Sequence, residues 1–186
     1  MISATFLRRA LSVAAVCMMI LVVPGCGSDD GAPVMTQEPE DFVAEASDFE
    51  CLQDWERIRN IRITNALGHL DEALELARNP VPGAQYPVGT MVQLVPFEAM
   101  VKRGPDFDPE NNNWEYFELG VSANGTEIRT RGRDEVINQF GGQCFPCHEA
   151  ARDFDFICEK DHGCIKLPLT DDLITRVQNN DPRCPK

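Results

Sequence analysis

Trp114-Glu115-Tyr116-Phe117-Glu118-Leu119-Gly120-Val121-Ser122-Ala123-Asn124-Gly125-Thr126-Glu127-Ile128-Arg129-Thr130 is the stretch that decides the fold class. Trp114 and Tyr116 alternate with polar neighbours, and Phe117 marks a change of register, so Trp114 to Ser122 reads as a half-buried strand. Asn124-Gly125 is a strong signal of a tight hairpin, and Thr126 to Thr130 reads as the returning strand. Upstream, Thr90 to Val95 is β-branched and apolar and stops at Pro96, while Ala99 to Arg103 forms another short strand candidate. Gly104 to Asn113 is rich in turn residues. The centre of the chain is therefore expected to be an antiparallel sheet.

Helical patterns flank that centre. Leu52, Trp55, Ile58 and Ile61 recur every three residues, predicting a helix over Glu50 to Ile61, and a second is predicted from Asn65 to Arg78, ended by Asn79-Pro80. Both are expected to pack over the sheet. Further on, Asp134 is placed to cap a short helix carrying Val136, Ile137 and Phe140, with Gly141-Gly142 ending it, and Thr170 to cap a last helix through Val177. The expected fold class is α+β: N-terminal helices on a central antiparallel sheet, then a C-terminal segment and a pinned tail.

The 186 residues suffice for one domain preceded by an export signal. Arg8 and Arg9 precede a run from Ala10 to Val23 that is almost wholly apolar but short for a membrane span. Its end, Val23-Pro24-Gly25-Cys26, resembles a bacterial lipoprotein processing site, which makes residues 1–25 the signal and Cys26 the lipidated residue. An uncleaved N-terminal anchor is the alternative. Residues 26–48 are rich in Gly, Pro, Ser and acids and read as a flexible tether, leaving 49–186 as the folded domain. No acidic residue follows Cys26 directly, so a periplasmic or outer-membrane lipoprotein of a Gram-negative bacterium is expected, with the leaflet open.

Loss of Arg8 and Arg9 with the signal takes the formal net charge from −13 to −15. Such acidity argues against nucleic-acid binding, and predicts that any redox partner presents a basic surface. Solubility alone would also explain it. Of the 8 cysteines, Cys17 leaves with the signal and Cys26 is lipidated. Cys51, Cys158, Cys164 and Cys184 form an even set expected to make two disulfides of open connectivity, stapling the tail to the body.

The remaining two cysteines stand in Gln143-Cys144-Phe145-Pro146-Cys147-His148. Cys-x-x-Cys-His is the attachment pattern of c-type haem: the thiols meet the two vinyl groups and the adjacent imidazole falls under the iron. Cys144, Cys147 and His148 are thus the candidate cofactor-binding residues, with His148 the candidate iron ligand. A thioredoxin-like pair is the rival reading, but the βαβ context it needs is missing.

Tyr86-Pro87-Val88-Gly89-Thr90, Asn113-Trp114-Glu115-Tyr116-Phe117, and the haem motif followed by Asp153-Phe154-Asp155-Phe156 together resemble the cytochrome P-460 family and the related β-type cytochromes c-prime. The resemblance spans about residues 50 to 158. It implies an antiparallel-sheet monohaem protein, often dimeric, whose open distal iron face takes small nitrogen species such as hydroxylamine or nitric oxide. Hydroxylamine-oxidising members cross-link a sheet lysine to the haem, whereas no residue from Gly89 to Val95 is lysine. Lys102, the only lysine ahead of the motif, reads as a solvated charge.

Glu98, Phe97 and Phe107 are the distal-side candidates, with Glu98 and Glu115 weighed as bases against an ordinary solvent-facing role. Met91, Met100 and His69 are weighed as sixth ligands; Met91 reads as core filling, His69 as an interface residue and His162 as structural. The functional expectation is a lipid-anchored haem c protein that binds or redox-converts a small nitrogen or oxygen species. A simple periplasmic electron carrier is the alternative, and a purely structural or sensory haem a third reading.

Overall fold

The structure, a computed structural model, describes residues 40–139, 141–159 and 161–185. Residues 1–39, on which the expected signal, the expected lipidation of Cys26 and most of the expected tether fall, and Phe140 lie outside the described residues. No helix among the described residues is long and apolar enough to cross a membrane.

Six strands, β1 (Glu56–Ile58), β2 (Ile61–Asn65), β3 (Thr90–Gln93), β4 (Glu98–Lys102), β5 (Trp114–Ser122) and β6 (Gly125–Arg131), form one antiparallel sheet in sequential order. Three helices accompany it: α1 (Leu70–Arg78), α2 (Cys144–His148) and α3 (Asp171–Asn179). The mixed α+β class follows directly. The β5–β6 hairpin turns at Ser122↔Gly125, where Gly125 holds φ of 115°, and a register shift falls between Glu118 and Leu119.

Both faces of the sheet are covered. On one, Trp114, Tyr116, Met100, Val92 and Ile63 pack with Ala73, Leu74 and Ala77 of α1 and with Cys144. On the other, Phe117, Leu119, Val101 and Met91 pack with Phe49, Leu52 and Trp55. Successive residues of a strand point to opposite faces, so a strand buried on both sides must be apolar at both parities. Trp114, Tyr116, Phe117 and Leu119 meet that demand, each no more than 1 % exposed.

The helix expected over Glu50 to Ile61 is not there; the segment makes a short 3-10 turn (Leu52–Asp54) and then the β1–β2 hairpin. Its three-residue apolar spacing misleads because Leu52 and Trp55 serve one core while Ile58 and Ile61 serve the other. The chain reverses between them, with Arg59 at φ of 52° and Ile58 paired to Ile61. Among the described residues, α1 alone is a helix that packs on the sheet before β3. It begins at Leu70 rather than Asn65 because Asn65 Oδ1 accepts from the backbone of Leu67 and His69, a local turn that competes with the helix.

The helix expected after Asp134 is likewise absent. Val136 enters the core, but Ile137 is 54 % exposed and pairs with Gln143 in a single bridge. Asn138 N donates to the Gly142 carbonyl, so the chain turns back instead of winding on. At the C-terminus Thr170 does cap α3, its hydroxyl accepting from Leu173 N at 3.2 Å.

The four cysteines expected to pair do so, as Cys51–Cys184 and Cys158–Cys164. The first joins residues 133 positions apart and ties the end of the chain beside Leu52, whose N–H donates to Asp181. The N-terminal segment is clamped separately. Arg103 donates to both carboxylate oxygens of Asp41 and to Glu115, and Gly104 N also donates to Asp41.

Closing so long a loop removes chain entropy from the unfolded state, so the Cys51→Ala/Cys184→Ala double variant is expected to lose about 2–5 kcal/mol in chemical denaturation. Hydrogen bonding from Arg103 holds the Asp41 carboxyl at about 2, below its ordinary 3.8. A depressed carboxylate stabilises the fold above the unfolded value and loses that contribution as pH falls through the folded one. The stability difference between wild type and Asp41→Asn is therefore expected to be full at neutral pH and to shrink between about pH 4 and pH 2, read from denaturation midpoints.

Candidate haem-attachment site

The motif itself forms α2, which seats Cys144 in the core that also contains Tyr116, Met100, Val136 and Phe156. All other cysteines among the described residues are in disulfides, whereas Cys144 and Cys147 are free. Cys144 is buried and Cys147 partly exposed. Burial first, then the nearby charge of Glu98, pushes the Cys144 thiol up to about 12. It is held as a neutral S–H.

His148 is oriented from behind. Its Nδ1 lies 2.7 Å from the Phe156 carbonyl oxygen, which can only accept, so Nδ1 carries the proton and Nε2 keeps its lone pair free. Burial pulls the imidazole below its ordinary value and favours the neutral ring that a metal ligand must be. The Tyr116 ring meets it edge to face, with centroids 5.4 Å apart. This is the arrangement by which metal-ligating histidines are usually fixed: one ring nitrogen donates to a carbonyl and the other faces the metal.

The carbonyl that receives His148 belongs to an unusual turn. Asp155 and Phe156 both adopt left-handed backbone, with φ of 51° and 61°, a conformation that disfavours non-glycine residues by roughly 1–2 kcal/mol each. The Asp155 carboxylate offsets this with four hydrogen bonds. Lys102 Nζ lies 2.8 Å from both its oxygens, Asn112 Nδ2 donates at 2.8 Å and Tyr86 N at 2.7 Å. Phe156 is fully buried and stacks on Phe145 of the motif, with centroids 6.0 Å apart.

Lys102 is thus not a solvated charge. It is 3 % exposed, ends β4 on the motif's side of the sheet, and lies over the Trp114 ring at 5.1 Å. Burial draws the lysine down and the aspartate up, and each partner's charge opposes that shift. Sequence reading missed the pair because its members are 53 residues apart. The available signal was a lone lysine closing the apolar run Ala99-Met100-Val101, and an aspartate set between Phe154 and Phe156.

The remaining candidates separate cleanly. Glu115 is buried, not solvent-facing, but on the opposite face, where Arg103 and Arg131 bind its carboxylate. Glu98 is half-buried, stands opposite Glu118, and accepts from Gln139 N at 3.2 Å; burial raises its pKa. Phe97 is half-buried, its carbonyl accepting from Leu119 N. Phe107 is 40 % exposed and lies over the Arg103 guanidinium. Met91 fills the second core, as expected, while Met100 shares the core of Cys144. His69 lies at the surface, 3.4 Å from Glu40, and His162 stacks on Phe154 at 3.9 Å with Nδ1 donating to the Ile157 carbonyl.

These residues fit a covalently held haem. Two free thiols and a neutral, pinned imidazole make a haem c donor set. Beside them, the Tyr116 hydroxyl and the Trp114 indole nitrogen are buried without a protein partner among the described residues, a polar demand that the chain alone leaves unmet. Comparison with protein-family models, curated proteins and solved structures gives no significant match to the chain.

Removing one member of a buried ion pair strands the other charge, so Lys102→Met is expected to lower stability by about 3–5 kcal/mol, measured by denaturant unfolding of the haem-free chain.

Proposed function

We propose that this chain is an exported, lipid-anchored monohaem c-type cytochrome of the kind its motifs resemble, the cytochrome P-460 family. The observation that carries the reading is the pinning of His148: Nδ1–H is committed to the Phe156 carbonyl, in the same short helix as two unpaired thiols. Cys144 and Cys147 would hold the porphyrin through thioethers, and His148 the iron through Nε2. Bound there, the haem supplies an iron centre that takes up a small nitrogen or oxygen species and exchanges electrons.

The residues around the motif supply orientation and a dry environment. Phe145, Phe156, Trp114 and Tyr116 exclude water on the sheet side, and the Phe156 carbonyl fixes the rotation of the imidazole. The amine of Lys102 is bonded to Asp155, and no other lysine precedes the motif. This supports reversible ligand binding or redox conversion over oxidation that needs a lysine–haem cross-link. The acidic surface suits a basic redox partner, and the lipid on Cys26 a periplasmic or outer-membrane location, with a homodimer as the assembly that the family likeness implies.

The alternative, a simple electron carrier, differs in the iron's sixth position, where Met100 is the candidate that shares the motif's core. Production with a c-type haem maturation system is expected to give haem that stays on the chain under denaturing conditions, and to lose it in Cys144→Ala/Cys147→Ala. A high-spin ferrous spectrum that shifts with nitric oxide or carbon monoxide supports ligand binding; a low-spin spectrum indifferent to both overturns that reading in favour of the carrier. Cys26→Ala is expected to release the protein from the membrane fraction.

A further inference from the structure

Resting on the reading of His148 as an iron ligand, we infer that Lys102, Asp155 and Asn112 are positioning residues for that ligand, acting through the Phe156 carbonyl. Two adjacent non-glycine residues hold left-handed backbone, the first of them ending the 3-10 turn Glu149–Phe154. Besides ending that turn, the conformation sets the direction of one carbonyl. From the turn, Phe156 N donates back to the Ala151 carbonyl and Ile157 N to the Phe154 carbonyl, which leaves the Phe156 oxygen aimed at His148 Nδ1, 2.7 Å away.

Asp155 is what holds the turn. Its carboxylate is gripped from three separate parts of the fold: the end of β4 by Lys102, the loop before β5 by Asn112, and the segment before β3 by the Tyr86 N–H. Lys102 is itself sheltered by Trp114. A carboxylate fixed at both oxygens cannot rotate, and the residue after it cannot relax toward ordinary backbone without breaking those bonds. The sheet therefore sets the imidazole's angle at second hand, through this turn.

Two consequences follow for the ring. The Nδ1–H tautomer is selected, so Nε2 is always the unprotonated nitrogen. Hydrogen bonding at Nδ1 also raises the electron-donating power of Nε2, and loss of such an outer contact typically weakens metal ligation ten- to a hundredfold. A more basic imidazole favours ferric over ferrous iron.

The test uses the full-length chain in haem-free and haem-loaded forms, comparing wild type with Asp155→Asn and with the milder Asn112→Ala. In the haem-free chain, long-range proton–nitrogen correlation spectra at a pH where the ring is neutral are expected to show His148 as a single Nδ1–H tautomer. Asp155→Asn is expected to give a mixture, and Asn112→Ala the same change in smaller measure. In the haem-loaded chain both variants are expected to raise the reduction potential, Asp155→Asn the more, with haem still attached. A folded Asp155→Asn that keeps the single tautomer and the wild-type potential overturns the inference; if Asp155→Asn does not fold, an unchanged Asn112→Ala does so. A merely structural contact would lower the melting temperature without moving tautomer or potential. Failure of the wild type to acquire covalent haem would instead overturn the functional reading, and the tautomer comparison would still decide whether Asp155 orients the ring.

Discussion

A sheet buried on both faces leaves its central strands no solvent side, and that constraint organises the rest of this protein. Strands β4 and β5 place Met100, Trp114 and Tyr116 toward one core, and Val101, Phe117 and Leu119 toward the other. The two charges buried on these strands cannot reach water and are matched within the fold: Lys102 with Asp155 on one side, Glu115 with Arg103 and Arg131 on the other. Breaking either match strands a charge in low dielectric, which is far more destabilising than losing an exposed pair. The two faces also divide the labour. One carries the cysteine-histidine motif; the other receives the N-terminal segment and anchors the disulfide to Cys184.

Much of the sheet was legible because its signals are local. Asn124-Gly125 demands a tight turn, the alternation through Trp114 and Tyr116 has a strand's period, and Pro96 ends the apolar run before it. Thr170 caps its helix by a bond to a residue three positions on, equally readable from sequence. Where reading failed, tertiary contacts decided. Leu52, Trp55, Ile58 and Ile61 have helical spacing, yet Leu52 and Trp55 serve one core while Ile58 and Ile61 face each other across a hairpin in the other. Val136 and Ile137 look alike in sequence, but only Val136 is buried.

The candidate site divides along the same line. Cys144, Cys147 and His148 are contiguous and carry a spacing with chemical meaning, so the sequence alone points to them. Their support is discontinuous: the carbonyl of Phe156, the carboxylate of Asp155, and partners on Lys102, Asn112 and Tyr86. Lysine and aspartate are usually at the surface, and nothing short of the assembled sheet shows that these two meet. The pairing of the four structural cysteines was unreadable for the same reason. Their even number implied bridges, while the partners depended on where the chain's ends came together.

The Cys51–Cys184 bridge also has a mechanical meaning. It joins the chain just after its N-terminal lead-in to a point two residues from its C-terminal end, so the strands, the motif and its supporting turn all lie inside one covalent ring. Tension between Cys51 and Cys184 passes through sulfur, so the covalent path bypasses the strands, while the Asp41–Arg103 clamp bears what enters ahead of Cys51. Load entering at Cys51 and leaving at Cys184 would run around the sheet rather than through the segment that carries His148.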